Sequence, residues 1–179
     1  MGAESSKDSS EEKTWISLGD FADVIKNREE ERMKSIFEIA DENPEEYNFH
    51  GFSPLAIASM HSNGMWVIDR FAREERTNEP SSVNLVELAN ELSLNVDEDI
   101  LQATGFTPIS LAVMFGPVDS VRLLIDKGAK LDFVTEGQKI FSLKNLAEFR
   151  GSEDILKLLD EDGVHGQCHH CDVKNCVIS

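Results

Sequence analysis

Three thiols carry the most distinctive chemistry in the chain. Cys168, Cys171 and Cys176 all lie within the last twelve residues, and the preceding residues contain no cysteine. The sequence ends Cys176-Val177-Ile178-Ser179, a C-a-a-X box. A thiol stands fourth from the end, two aliphatic residues follow, and a terminal serine favours a farnesyl over a geranylgeranyl group. The chemistry expected is a thioether on Cys176, with loss of the last three residues and methylation after it. The transferase needs an extended, accessible tail, and the stretch from Gly163 to Asn175 is short, polar and glycine-containing. At the other end, Met1-Gly2-Ala3-Glu4-Ser5-Ser6 matches M-G-x-x-x-[ST], and Lys7 follows. That pattern places a myristoyl amide on Gly2.

One acyl or prenyl chain anchors a protein only marginally, so a second signal is needed. A polybasic stretch does not supply it. From Asp160 onward the single lysine, Lys174, is outnumbered by Asp160, Glu161, Asp162 and Asp172. Cys168 and Cys171, just upstream of the box, are read as thioester sites for palmitate. The competing reading of the amino end is a plain polar arm, and that of the box is an accident in an untargeted protein.

The tail also holds metal-ligand atoms in His165, Cys168, His169, His170, Cys171 and Cys176. Cys168-x-x-Cys171 has zinc-site spacing, but a closed site needs a second half such as another C-x-x-C, and the sequence has none. No metal or cofactor is therefore assigned, and a metal-binding regulator is kept only as an alternative. No phosphate loop, G-x-G-x-x-G, H-E-x-x-H or EF-hand pattern is present, and no serine lies in a nucleophile elbow. No catalytic residue or small-molecule substrate is expected. Asp97-Glu98-Asp99 lacks the spacing and glycine of a calcium loop and reads as a solvated start to the next segment.

Composition narrows the partners. The 179 residues include 34 acidic and 17 basic side chains, a net charge of −17. Such a surface repels phosphate, which argues against nucleic acid and favours a basic protein partner. It also repels an anionic leaflet, so any membrane attachment must come from lipid anchors. No run approaches a bilayer-spanning length. An odd cysteine count with none in the body argues for a reducing, intracellular setting.

The elements follow from periodicity. Residues 1–13 are small, polar and charged, too poor in apolar surface to order themselves. From 14 onward Phe21, Val24, Ile25 and then Met33, Ile36, Phe37, Ala40 recur at helical spacing, which predicts helices over about 19–27 and 29–40, the second closed by Asn43-Pro44. Two decapeptides then repeat a pattern: Gly51-Phe52-Ser53-Pro54-Leu55-Ala56-Ile57-Ala58-Ser59-Met60 and Gly105-Phe106-Thr107-Pro108-Ile109-Ser110-Leu111-Ala112-Val113-Met114. A weaker copy runs from Ser142 to Leu159.

These segments resemble the ankyrin repeat, and residues 105–132 carry nearly the whole pattern. Thr107-Pro108 would open the first helix with a capping hydroxyl, Gly116 would end it, and Gly128-Ala129 would end the second. The usual His after Thr-Pro-Leu is absent, Ser110 and Ala56 standing there, and Ser142-Leu143 replaces Thr-Pro in the last copy. Ser53 to Thr107 is 54 residues and Thr107 to Ser142 is 35, against a period of about 33. An insertion is therefore placed at about 73–100, with a helix from Val83, Leu85, Val86 and Leu88. The resemblance implies an all-α fold, a short ankyrin-repeat solenoid of about three repeats with a helical N-terminal cap. The domain would span 14–162, followed by a Cys/His tail over 163–179.

The resemblance also implies partner binding rather than catalysis. Register puts Met60 and His61, Met114 and Phe115, and Phe149 and Arg150 on the concave side, with the loop-tip rings Phe52 and Phe106 nearby. Exposed, this is an adaptable apolar stripe. Alternatively the insertion helix or residues 14–27 fold over it and make it core. Together these readings describe a lipid-anchored interaction adaptor at the cytosolic face of a membrane. The alternative is a soluble inhibitor or scaffold with the same helical stack.

Overall fold

The computed structural model describes residues 16–42 and 49–161. Within them the chain is all-α. Extended backbone pairs only at isolated bridges, Phe49 with Phe52, Thr104 with Glu136, and Val134 with Ser142.

Helices come in pairs joined by short turns: α1 (Leu18–Asn27) with α2 (Glu30–Glu42), α3 (Pro54–Met60) with α4 (Met65–Phe71), α8 (Pro108–Phe115) with α9 (Val118–Asp126), and α10 (Leu143–Arg150) with α11 (Glu153–Glu161). Between the second and third pairs lie three short helices, α5 (Glu74–Thr77), α6 (Val86–Leu92) and α7 (Glu98–Leu101). The first helices pack in a row, with α8 between α3 and α10. The second helices pack in a row behind them, with α9 between α4 and α11. The pair α1/α2 closes one end against α3 and α4. This is the short solenoid the repeats predict. Helices of this length are marginal alone, so their stability comes from stacking.

Local chemistry sets the starts. Ser17 accepts from the Asp20 N–H at 3.1 Å and opens α1, whose Leu18, Phe21, Val24 and Ile25 bury one stripe. Ser142 and Asn145 cap α10 reciprocally, at 3.3 and 3.0 Å. Asp97 caps α7 through the Asp99 N–H at 3.0 Å, which gives that acidic run a structural use.

The cap of α8 differs from the expectation. The Thr107 hydroxyl is buried with no hydrogen-bond partner among the described residues. Ser110 does the work instead. Its Oγ accepts from the Thr107 N–H at 2.9 Å and donates to the Thr107 carbonyl at 2.8 Å. The residue that replaces the usual histidine therefore closes the turn itself.

The two first helices approach closely. The Ser59 hydroxyl lies 2.6 Å from the Ala56 carbonyl and 2.8 Å from the Pro108 carbonyl, so one proton serves its own helix and the next. Gly116 ends α8 in extended backbone, at φ −84, which any residue can adopt. Its requirement is space: a Cβ there would stand 2.2 Å from the Ser59 carbonyl oxygen. Gly116→Ala must push α3 from α8, and the cost of such overpacking is about 1–3 kcal/mol. Urea unfolding should show a lower midpoint for Gly116→Ala with an unchanged slope.

Candidate functional site

The burial of α3 and α8 decides which predicted residues are available. Pro54 to Ser59 and Pro108 to Met114 are buried all round, so only the last residue of each helix is partly open. The stretch between α5 and α8 adds Leu85, Leu88, Ile100 and Ala103 to the same apolar core. Ser81 stitches that stretch to both Gly-Phe loops. Its N–H donates to the Phe106 carbonyl at 2.8 Å, its carbonyl accepts from the Gly105 N–H at 2.9 Å, and its hydroxyl donates to the Gly51 carbonyl at 3.0 Å.

Phe52, Phe106 and Met114 are therefore core residues, not members of a surface stripe. They are 1%, 0% and 6% exposed. Gly51 and Gly105, at φ +90 and +82, reverse the chain before each phenylalanine, and the ring enters the core. Met114 sits near the end of the central first helix, which is flanked on both sides.

Met60, His61 and Phe115 remain half-buried at the ends of α3 and α8, and Phe149 near the end of α10 is 48% exposed. His61 follows the last turn of α3, its N–H donating to the Ala58 carbonyl at 3.1 Å and its Nδ1 accepting from the Asn63 N–H at 3.4 Å. Arg150 is committed elsewhere. Its Nη1 faces the Ala112, Val113 and Gly116 carbonyls at 3.2, 2.9 and 2.6 Å, so the guanidinium caps the C-terminal end of α8 and fastens α10 to it. Burial pulls its pKa below the ordinary guanidinium value. The available row thus consists of Met60, His61, Phe115 and Phe149, a shallow apolar line at the ends of consecutive first helices.

A half-open groove of about 880 Å³ lies away from that row, bounded by Phe37, Asp41, Phe52, Arg76, Glu79 and Pro80. Arg73 and Glu75 also line it. Arg76 pairs with Asp41 and lies over the Phe37 ring at 4.7 Å. Burial pushes the Glu79 carboxyl up, Asp41 adds to this and Arg76 opposes it. Sequence periodicity had no signal for this cluster, because Arg76 and Asp41 are 35 positions apart. Nor did it mark Trp66, whose Nε1 donates to the Ile25 carbonyl at 2.9 Å and pins the capping pair to α4.

Gly2, Cys168, Cys171 and Cys176 lie outside the described residues, as do the polar arm, the Asn43-Pro44 stop and the Cys/His tail. Among the described residues no group of acidic, histidine or cysteine side chains is arranged to hold a metal, and no helix is long and apolar enough to cross a membrane.

Residues 104–136 match the family described as Ankyrin repeat. The match covers the loop after α7, the pair α8/α9 and the following turn. No curated protein matches the chain. Ankyrin repeats are protein-interaction modules, and the matched pair forms the middle of the observed stack.

If Arg150 is a fastener rather than a contact residue, Arg150→Ala leaves three carbonyls without their cation. It should cost about 1–2 kcal/mol in chemical denaturation. Arg150→Lys should restore only part, because a point charge replaces the planar fork.

Proposed function

We propose that this chain is a protein-interaction adaptor held by lipids at the cytosolic face of a membrane. The observation that carries the interaction half is the row Met60, His61, Phe115, Phe149 at the ends of α3, α8 and α10, with Phe149 48% exposed beside its anchored neighbour Arg150. Large apolar side chains left accessible on the first helices of a solenoid are a recognition surface, because curvature gathers them on one side. The acidic surface favours a basic partner and speeds its approach.

The anchoring half rests on sequence: Gly2 within 1–13 for myristate, and Cys176 with Cys168 and Cys171 within 163–179 for farnesyl and palmitate. Two or more chains would supply the affinity that one cannot. Confinement to the membrane plane then raises the local concentration of whatever the row binds. The soluble inhibitor or scaffold uses the same row without the anchors.

Two experiments separate these parts. Full-length protein made in a eukaryotic cell should partition with membranes and show prenyl and acyl mass additions with loss of Val177-Ile178-Ser179, whereas Cys176→Ser should remain in the soluble fraction. Equal partition and an unmodified mass would leave only the soluble version. For the row, a photo-crosslinker at position 149 should capture a discrete protein in cells, and one at the exposed Arg122 position of α9 should not. Phe115→Asp should abolish the capture while leaving the thermal midpoint within a few degrees. Equal capture from both positions would overturn the row as the docking surface.

A further inference from the structure

His50 sits in the turn before the first Gly-Phe loop, at φ 52, a left-handed conformation that non-glycine residues seldom adopt. The conformation aims its imidazole at one face of α6. Glu87 and Glu91, four residues apart on that helix, meet the two ring nitrogens separately. Nδ1 lies 3.2 Å from Glu87, and Nε2 is in contact with Glu91. The other walls of the recess, Ser82, Val83, Asn84, Gln102 and Thr104, carry no charge, and the turn's own neighbours are Phe49 and Gly51. Among the described residues these two carboxylates are the ionised groups that face the ring.

A neutral imidazole has one N–H and one lone pair. Between two carboxylates it satisfies one and turns a lone pair toward the other. Both contacts are favourable only when both nitrogens donate, which requires the imidazolium. We infer that His50 is a proton-dependent clasp that holds α6 against the first Gly-Phe loop. The hydrogen bond to Glu91 is the main reason the ring's pKa is raised, partial burial opposes it, and Glu87 adds to the rise.

The direction of the pH effect follows. The folded-state pKa lies above the unfolded value of about 6.5. The clasp therefore contributes fully below that value and is lost as pH rises through the higher folded value. Loss of the proton loosens α6 and the segment that Ser81 attaches to both Gly-Phe loops.

Amide exchange of the full chain tests this, with rates corrected for intrinsic pH dependence. Protection across α6 should fall about fivefold between about pH 6 and about pH 9, the range of an exposed ion pair. His50→Asn, which keeps a side chain tolerant of the left-handed backbone, should start at the lower protection and show no such fall. Nitrogen-resolved NMR of the imidazole provides a readout that misfolding cannot imitate. The wild-type ring should titrate above the ordinary histidine value, and Glu87→Gln/Glu91→Gln should return it there. An unshifted wild-type titration, or a His50→Asn protein that keeps the wild-type pH dependence, would overturn the clasp.

Discussion

The close approach of α3 and α8 is the constraint on which the rest of the structure depends. Each helix is buried around its whole circumference, so neither has a solvated face on which to relax. Their backbones come near enough that Ser59 shares a proton with a carbonyl of the next helix and Gly116 has no room for a methyl group. Interiors packed this tightly transmit small displacements rather than absorbing them. A wedge between these two helices would disturb both rows of the stack, since α8 also carries α10 and α9.

Around that central contact, polar groups act as fasteners between neighbouring units. Arg150 caps α8 from α10, Ser81 reaches both Gly-Phe loops, and Trp66 fixes the capping pair to α4. Each donates to backbone carbonyls at a helix end or a turn of the neighbouring unit. The surface left over is strongly acidic, and its large apolar side chains include Phe149 near the end of α10, Met65 on α4, Leu92 on α6, and Val134 and Ile140 between α9 and α10. The core is spent on stacking, as a solenoid of short helices requires.

Much of the fold was legible before any coordinates. Gly-Phe-Ser-Pro and Gly-Phe-Thr-Pro mark the helix starts, because proline is tolerated at the first helical position and the residue before it is held extended. The stripe Phe21, Val24, Ile25 gave α1 nearly to its ends, and Ser142 with Asn145 shows that the last copy keeps a cap despite losing Thr-Pro. The site was less legible. Phe52, Phe106 and Met114 read as surface residues by register, yet all three are core, while Arg150 is exposed as expected and also holds a helix end. Register states which way a side chain leaves its own helix, not what lies above it, and the stretch between α5 and α8 departs from the repeat.

By itself the sequence determined the repeating helix pairs, because they depend on residues adjacent or one helical turn apart, and the strong negative charge, which is a sum over composition. Only the tertiary structure decided which apolar residues stay open, that Ser110 rather than Thr107 closes the turn of α8, and that His50 meets two carboxylates of α6. The open residues and the His50 contacts depend on groups tens of positions apart. The Ser110 turn, though local, depends on the burial that leaves the Thr107 hydroxyl without a partner among the described residues.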